Sequence, residues 1–599
     1  MNFPSIKEIT DKALIAFKRF PIVLSWAILG SFYCIYLIES DMDNLFTNKV
    51  EELLTISLGV SWLIATQFFI EQLKHPKKWQ WIHLIVIALL AAFYFHLPDF
   101  SNYENNPIFL IRFILYLVGG HFFILFAPFL ISWNKYTYWN YLKSISIALG
   151  RSFLFSAVLY IGLVLALVAL EFLFDFDIKD EAYAQLYIFC LGVVNTWTYL
   201  SDFPKNIQKQ TTINFNKALE VFVKYILIPL VIVYLIILYA YSLKIVLNWN
   251  LPKGWVSYLV TALALLGFSI QMMINPVQKT IKSWTINKFY PWFYILLLPL
   301  IVLLFVAIFK RIGEYGFTEN RFFILSIAIW ILGITVYLLL SKKKQLRILP
   351  MSLLILTLLS SFGFWSVFNI SKNSQVSHFK STFNKVLKNN KTASSKEYDK
   401  MESIIDYLTD RESSHLLNNI VDLNVEKIGL NKSKNSRRVY SYNASAKVLD
   451  SLKISKDPND SSQEALKVYY YYYSDWNSKK NLNLNIQGFN HFTYLENTSK
   501  NNSIGNFNVE FNTNKNTISL LSGNRTALNI PLNKKLQYLS KKYGHDLNAA
   551  PKNEFVIEAS NDSIVVKVIF ESLNFYKEKP ESNLDLNNAR MFLFLKQLK

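Results

Sequence analysis

The most chemically dense run of the sequence is RIGEYGFTENR, at residues 311–321. Guanidinium groups bind carboxylates and phosphates through paired hydrogen bonds, so the run predicts an outward-facing site for an anionic headgroup or a docking surface for a soluble domain. The favoured interpretation is structural, a salt-bridged hairpin in which the arginines pair with the glutamates and Thr318 caps the next helix. The candidate site residues are Arg311, Glu314, Tyr315, Glu319 and Arg321.

A second candidate is His121, which follows Gly119 and Gly120 within an apolar stretch. An ionisable group at membrane depth is a functional hypothesis, here a proton or ligand site. The favoured interpretation is again structural: a neutral imidazole hydrogen-bonded to a neighbouring helix, or close helix packing at the two glycines.

Short catalytic motifs are absent from the sequence. It has no HExxH, P-loop, GxSxG or dinucleotide-binding pattern. Its two cysteines, Cys34 and Cys190, both lie in apolar stretches, so the polar half has neither a disulfide nor a cysteine-bound metal. No catalytic residue, metal or cofactor is therefore predicted, although an active site built from distant residues stays open.

Apolar stretches long enough to cross a bilayer fill the first 370 residues. A hydrocarbon core about 30 Å thick needs about 20 apolar helical residues. The predicted fold class is a membrane all-α polytopic bundle of about eleven transmembrane helices, followed by a soluble α+β domain with a mainly antiparallel sheet. The predicted spans are 21–38, 53–70, 81–97, 108–131, 153–174, 184–200, 223–243, 256–274, 289–309, 322–340 and 348–368.

The lysines and arginines of the loops predict the orientation, because positively charged loops stay cytoplasmic. With the N-terminus inside, the inner loops hold twenty of these residues and the outer loops seven. The outer seven are Lys49, Lys179, Lys244, Lys253, Lys310, Arg311 and Arg321. An odd number of spans then places the chain after Phe368 outside. The predicted location is the bacterial inner membrane, with a cytoplasmic N-terminus and a periplasmic C-terminus.

The formal charge of +20 is divided almost evenly between the two halves of the chain. The lysines are therefore not gathered into one nucleic-acid-binding patch. The predicted partners are the lipid bilayer and a periplasmic or envelope protein, without nucleic acid.

The polar half has two patterns, so the predicted domains are 1–370 (transmembrane), 371–425 (helical connector) and 426–599 (strand-rich). Phe379, Phe383 and Leu387 recur at helical spacing, and a second helix follows the NNKTASS segment. Alternating runs then predict an antiparallel sheet, with a helix at 534–543. The predicted strands are RVYSYNASAKVL, LKVYYYYYSD, LNLNIQGF, FNVEFNT, TISLLS, EFVIEAS and SIVVKVIFESL, while MFLFL fits a helix or a strand. In the tyrosine run 469–473, about half of the rings are expected to enter the core.

Three segments of the chain, taken together, resemble a known family. They are RIGEYGFTENR with the helix of Trp330, LPKGWVSY (251–258) and FGFWSVFNISKNSQ (362–375). The family is an uncharacterised bacterial inner-membrane one, the domain-of-unknown-function family numbered four thousand one hundred and fifty-three. In the tail, LNIQGFNHFTYL (484–495) is similar to a Gly-Tyr-Asp-Tyr-type segment, with Phe489 and Asn490 at the tyrosine and aspartate positions. The resemblance implies a multi-pass bacterial membrane protein and brings no activity, cofactor or catalytic residue.

Three functions stay open at this point. The first is a non-enzymatic envelope protein whose periplasmic tail binds or regulates an envelope component. The second is a transporter or lipid-handling protein that uses His121 and the 311–321 run. The third, which ranks last, is a membrane enzyme acting on a lipid-linked substrate.

Overall fold

The chain divides into two compact units, Met1–Asp457 and Pro458–Lys599. The first unit is helical apart from two short strands, and the second is rich in antiparallel sheet. The computed structural model describes residues 6–41, 49–97, 106–204, 206–213, 215–248, 255–278, 283–341, 344–429, 444–457, 468–474, 486–496, 502–512, 515–523, 525–543, 546–550, 552–577 and 584–598.

The apolar part of the first unit consists of fourteen described α-helices. They are α1 (Ile6–Arg19), α2 (Pro21–Asp41), α3 (Val50–Ile70), α4 (Ile82–His96), α5 (Ile108–Phe126), α6 (Lys135–Phe174), α7 (Asp180–Ile188), α8 (Thr196–Ser201), α9 (Lys217–Phe222), α10 (Ile228–Asn248), α11 (Trp255–Ile274), α12 (Trp284–Tyr315), α13 (Glu319–Leu340) and α14 (Ile348–Ser361). A π-helical segment, Phe189–Asn195, joins α7 to α8, and another, Val223–Leu227, joins α9 to α10.

In the described part of the chain, nine helices are long and apolar enough to cross a membrane. This confirms the predicted polytopic helical region. Two of the eleven predicted spans fall outside this group. The predicted span 184–200 is the continuous helical run of α7, the π-helical segment and α8. The predicted span 348–368 is divided between two helices.

The last predicted span is two helices rather than one. The helix α14 ends at Ser361 after 14 residues, which is about 21 Å of helix at ~1.5 Å per residue. Gly363 then adopts φ +83°, a left-handed conformation that breaks the helix. A new helix, α15 (Val367–Lys388), begins where the Ser366 hydroxyl accepts a hydrogen bond from the Asn369 N–H at 3.3 Å. The prediction failed because the apolar composition continues across the break.

The helix α6 is longer than the predicted span 153–174. It is continuous over 40 residues, starting at Lys135, where the Asn134 side chain caps it by accepting from the N–H groups of Tyr136 and Thr137. Its first half packs into the bundle through buried side chains such as Tyr138 and Tyr141. Its second half is largely exposed, as a helix in contact with lipid is expected to be.

The loops that the sequence assigns to the inner side meet at one end of the bundle. Arg19 pairs with Glu71 at 2.7 Å and donates to the Phe203 carbonyl at 3.0 Å. Gln208 donates to the Pro128 carbonyl at 2.7 Å. These contacts join four segments that precede or follow different spans. Which side of the membrane this end faces stays a prediction.

Beyond α15 the first unit forms a smaller core. Its elements are β1 (Thr392–Ala393), α16 (Ser395–Thr409), α17 (Asn418–Val421), α18 (Val425–Gly429), α19 (Ala444–Ser451) and β2 (Ser455–Lys456). Phe379 and Phe383 of α15 pack with Ile404 and Leu408 of α16, as the helical spacing predicts. The strand predicted for RVYSYNASAKVL is wrong for its described residues, because these belong to α19, whose Val448 and Leu449 enter this core.

The second unit is built on two sheets. Its elements are β3 (Val468–Ser474), β4 (His491–Glu496), β5 (Ser503–Ile504), β6 (Phe507–Asn512), β7 (Thr517–Ser522), β8 (Arg525–Pro531), α20 (Asn533–Tyr543), β9 (Asp546–Ala550), β10 (Val556–Ser560), β11 (Ile564–Lys577) and β12 (Leu584–Gln597). One sheet has the order β4-β12-β11-β3-β9 with β10 paired to β11, and the other has the order β5-β6-β7-β8. The described pairs are antiparallel except for β3 with β9.

The sequence predictions for this unit agree with the described strands at several places. Tyr470 and Tyr472 are buried while Tyr471 and Tyr473 are half-exposed, so the tyrosine run alternates as expected. The predicted helix at 534–543 corresponds to α20. The MFLFL run is part of β12, where Met591, Leu593 and Leu595 face the core. Part of the predicted strand LNLNIQGF lies outside the described residues, and the rest of it is not a strand.

The close contact of α11 with α12 yields a test of the bundle. A Cβ atom added at Gly267 would lie 1.9 Å from the ring of buried Phe293, so Gly267→Ala should cost about 1–3 kcal/mol through overpacking. Gly333→Ala on α13 is the control, since nothing lies within 4 Å of its added Cβ and alanine favours a helix. Thermal unfolding in detergent should give a lower midpoint for Gly267→Ala than for Gly333→Ala, and equal midpoints would contradict this packing.

Candidate functional site

The 311–321 run forms the turn between α12 and α13. The helix α12 ends at Tyr315, and Gly316 follows with φ +73°, where a residue with a Cβ would be strained. An added Cβ there would also lie 2.7 Å from the His378 ring. Thr318 occupies the N-cap position of α13 but makes no side-chain capping hydrogen bond. Glycine is therefore needed at this turn both for its backbone angle and for the close approach of α15.

Glu319, the first residue of α13, is the centre of a buried polar network. Its carboxylate accepts hydrogen bonds from Arg411 Nε at 2.7 Å and Arg411 Nη2 at 3.1 Å. The Tyr407 hydroxyl donates to the same carboxylate at 2.9 Å. The side chains of Glu319 and Arg411 are only 8% and 13% exposed. A two-point guanidinium–carboxylate contact of this kind is strong and directional, and it fixes the end of α16 to the start of α13.

Hydrogen bonds from α15 complete the turn. The Gln375 amide donates to the carbonyls of Tyr315 at 3.0 Å and Phe317 at 2.7 Å. The Ser374 hydroxyl accepts from the Phe317 N–H at 2.9 Å. Turn backbone groups that lack partners within their own helices are thus satisfied by side chains of a later helix.

The other predicted site residues lie around this network. Arg321 donates to the carbonyls of Tyr315 and Gly316 at 3.2 and 2.9 Å, and its guanidinium lies 5.3 Å from the exposed Tyr315 ring. The exposed Glu314 contributes its carbonyl, which accepts from Lys400 at 3.0 Å. Arg311 is half-exposed. The turn is therefore joined to the helical region after α14, and Glu319 pairs with an arginine 92 residues away rather than with one in its own run.

The network sets the protonation states of two neighbouring groups. Burial and the adjacent Glu319 carboxylate raise the pKa of Tyr407, so its phenol stays protonated and donates. Burial and the nearby Lys400 and Arg321 lower the pKa of His378, so its imidazole is neutral at neutral pH. The group is thus arranged as a structural junction, with its single buried carboxylate occupied by donors. In the described residues, no cluster of three or more His, Cys, Asp or Glu side chains suits a metal ion.

His121 is separate from this network. Its side chain is exposed on the outside of α5, and its Nδ1 lies 2.7 Å from the Leu117 carbonyl of the same helix. The adjacent glycines do allow close packing, since an added Cβ at Gly120 would lie 2.4 Å from the Ser61 hydroxyl of α3. The close approach belongs to the glycines, while the histidine points away from it.

Sequence reasoning missed the partners of the turn. Arg411, Tyr407, Ser374 and Gln375 lie in polar segments with ordinary helical spacing, and no local pattern connects them with Glu319. A single glutamate at the start of an apolar helix is the one available signal, because a carboxylate at that position needs a cation close by.

Comparison of the sequence with known families assigns the chain to one of them. The model described as Domain of unknown function (DUF4153) matches residues 53–400, more than half of the chain. The chain belongs to this family. The matched region of the DUF4153 family contains the turn together with Gln375, and it ends before Tyr407 and Arg411. The tail segment 484–495 lies beyond the match.

An uncharacterized protein of Pasteurella multocida (strain Pm70) is similar to this DUF4153 member. The two are 22% identical over 385 residues, which cover 62% of this chain and 61% of that protein. The chain therefore spans less than two thirds of the relative's length. No solved structure matches the chain. The family description and the relative's name state no activity, so the function has to be argued from the structure.

The Glu319–Arg411 contact makes a prediction about docking of the helical region. Arg411→Met leaves a buried carboxylate without its cation and should destabilise the protein by about 3–5 kcal/mol. Replacing both partners, as in Glu319→Leu with Arg411→Met, should recover much of this loss. The readouts are the thermal midpoint in detergent and the rate of trypsin cleavage between residues 389 and 457.

The matched control is Lys456→Met, which breaks an exposed pair with Asp399 at 2.8 Å and should cost at most about 1 kcal/mol. Equal effects of Lys456→Met and Arg411→Met would show that the buried contact does not hold the helical region in place.

Proposed function

We propose that this protein is a multi-pass inner-membrane protein whose C-terminal region lies outside the cytoplasm and binds a component of the bacterial envelope. The nine membrane-length helices support an anchoring role for the first part of the chain. The binding role is carried by one observation in the second unit, an exposed aromatic surface on the outer face of its larger sheet.

This aromatic surface consists of the exposed Phe492 and Tyr494 rings, which contact the buried Phe592 ring. The strands β4 and β12 pair so that Tyr494 lies opposite Phe592 and Phe492 opposite Phe594. The Phe492 and Phe592 rings are stacked at 6.0 Å, and the Tyr494 ring lies 5.0 Å from Phe592. Since residues two apart share a face of a strand, the intervening Leu593 and Leu495 enter the core, and these rings point away from it.

A small apolar cluster packs against the two exposed rings. Phe592, Phe594 and Ile569 form a small buried cluster on this face, and the Phe594 ring contacts Phe489 and Phe492. Phe492 and Tyr494 nevertheless remain 49% and 47% exposed. Clustered large aromatic side chains that stay exposed mark surfaces for recognition, because rigid rings give contact area with little loss of conformational entropy.

Charged and polar groups surround the aromatic surface. Arg590 pairs with Glu496 at 3.2 Å, and the Tyr494 hydroxyl donates to the Glu571 carboxylate. Partial burial and this hydrogen bond raise the pKa of Tyr494 to about 12, so the surface carries a neutral phenol at physiological pH. An aromatic centre with a polar rim is the usual anatomy of a binding surface.

The proposed side of the membrane rests on the loop charges, which are twenty against seven when all eleven predicted spans cross. Labelling of single cysteines in spheroplasts with a membrane-impermeant maleimide tests it, because Cys34 and Cys190 are buried and give little background. Lys388→Cys, on α15, should be labelled in intact spheroplasts, whereas Thr211→Cys, in an inner loop, should be labelled only after lysis. The opposite pattern would reverse the proposed topology.

The aromatic surface is tested by photo-crosslinking in growing cells. A benzoyl-phenylalanine at Tyr494 should form a discrete adduct with an envelope component, and Phe492→Ala should reduce that adduct several-fold because a stacking ring is lost. The control places the same group at Tyr538 on α20, which is 46% exposed. Identical adducts at both positions, or none at Tyr494, would contradict a binding role for this surface.

A further inference from the structure

A long apolar groove runs along α4 in the first unit. It has a volume of about 550 Å³ and lies between α4, α3, α5 and α14. Its walls include Leu58, Trp62, Leu90, Phe93, Tyr116 and Phe362. We call it the α4 groove. It lies among membrane-length helices and opens beside Leu89, which is 65% exposed, so the groove faces the region where lipid chains lie.

The length and chemistry of the α4 groove suit a hydrocarbon chain. Its lining follows α4 from Ile82 to His96, about 21 Å of helix at ~1.5 Å per residue. Two polar groups in its wall already have partners, since the Trp62 indole donates to the Tyr116 carbonyl at 3.0 Å and the Thr66 hydroxyl donates to the Trp62 carbonyl at 2.7 Å. A flexible apolar chain can therefore fill the groove without leaving a polar group unpaired.

One end of the α4 groove is cationic. His96 lines this end of the groove. The Arg112 Nη1 atom, on α5, lies 2.6 Å from the His96 Nε2 atom. The guanidinium also lies 5.3 Å from the Phe368 ring. Its Nε is buried and has no hydrogen-bond partner among the described residues, and no described ion pair includes Arg112.

A second cation lies near Arg112. Lys372 of α15 is half-buried, and no described hydrogen bond or ion pair joins its ammonium group. Burial lowers the pKa of Lys372, and the neighbouring Arg411 and Arg112 lower it further while Glu319 and Glu412 raise it. Glu319 is committed to Arg411, and no described ion pair includes Arg112 or Lys372.

We propose that the α4 groove binds an acyl chain of an anionic phospholipid and that Arg112, assisted by Lys372, binds the lipid phosphate. The planar guanidinium offers paired donors that match phosphate oxygens. The half-buried guanidinium gains a counter-ion, and the acyl chain covers apolar surface that is continuous with the bilayer. The site belongs to the first unit and the aromatic surface to the second, so the two proposals rest on different observations.

Native mass spectrometry of the full-length protein in detergent tests this site with phosphatidylglycerol and phosphatidylcholine of the same acyl chains. The wild type should retain phosphatidylglycerol preferentially. Arg112→Gln should weaken that retention about tenfold, because a charge-assisted contact is lost, while retention of phosphatidylcholine changes little. Equal retention of both lipids by the wild type would overturn the phosphate assignment.

The groove itself is tested by adjacent alanines on α4. Ala92 lines the groove, whereas the exposed Ala91 does not. Ala92→Phe should reduce retention of both lipids, and Ala91→Phe should leave it unchanged. Identical behaviour of these two variants would overturn the proposal even if Arg112→Gln failed to fold.

Two further measurements separate this proposal from its rivals. Inorganic phosphate at millimolar concentration should not raise the thermal midpoint as phosphatidylglycerol does, and an equal rise would assign Arg112 to a free anion.

Residues 98–105, which lie outside the described residues, carry Asp99 and Glu104. Asp99→Asn with Glu104→Gln should leave lipid retention unchanged. A thermal loss equal to that of Arg112→Gln would instead assign Arg112 to an internal ion pair and overturn the lipid site.

Discussion

Backbone peptide groups inside a hydrocarbon layer have no water to hydrogen-bond with, and this constraint governs most of the first unit. Each unpaired group costs several kcal/mol, so the chain crosses as helices that satisfy their own N–H and C=O groups. The long helices follow from this requirement, as do the two π-helical segments that keep α7–α8 and α9–α10 continuous. At helix ends and turns, some N–H and C=O groups have no partner within their own helix. Side chains from distant segments are needed there to form the missing hydrogen bonds.

The turn at Gly316 shows how such an end is completed. Its carbonyl and N–H groups are paired with Gln375 and Ser374 of α15, and its buried glutamate is paired with Arg411 of the α16 region. A buried ion pair contributes less net stability than its Coulomb energy suggests, because both ions lose water. Its effect is on specificity: alternative positions of the helical region would leave Glu319 buried without a cation. The docked helical region therefore supplies the side chains that complete the turn.

The paired charge of Glu319 has a structural role, whereas the charge of Arg112, which has no described ion-pair partner, indicates a binding role. The same physical rule that makes Glu319 a structural centre makes a guanidinium without a described anionic partner a candidate for binding. The neighbouring apolar groove decides which class of ligand fits, since phosphate alone leaves the groove empty and a hydrocarbon chain alone leaves the cation unpaired. In the second unit the corresponding signal is apolar rather than charged, namely rings that stay exposed although the sheet has a complete core on its other face.

Local sequence patterns predicted several of the observed helices and the burial of the tyrosine run. The apolar stretches predicted the membrane-length helices, helical spacing predicted α15 and α16, and alternation in the tyrosine run predicted which rings are buried. The wrong predictions concern segments in which the residue composition does not determine the backbone conformation. The apolar run 348–368 is divided by a left-handed glycine, and the described part of RVYSYNASAKVL became helical because Val448 and Leu449 join a helical core. The family assignment could be made from the sequence, since its segments lie mostly within the matched region.

The sequence by itself determined the membrane class, the approximate helices, the strand-rich tail and the family. The length and periodicity of apolar stretches are local properties, and they decide whether a segment is stable in water or in hydrocarbon. Only the tertiary structure decided that Glu319 pairs with Arg411, that His121 points away from the close glycine contact, and that Arg112 contacts His96 in the lining of an apolar groove. Those relations join residues far apart in the chain. They depend on which helix faces approach each other, and that is set by packing and by the pairing of buried polar groups rather than by any local pattern.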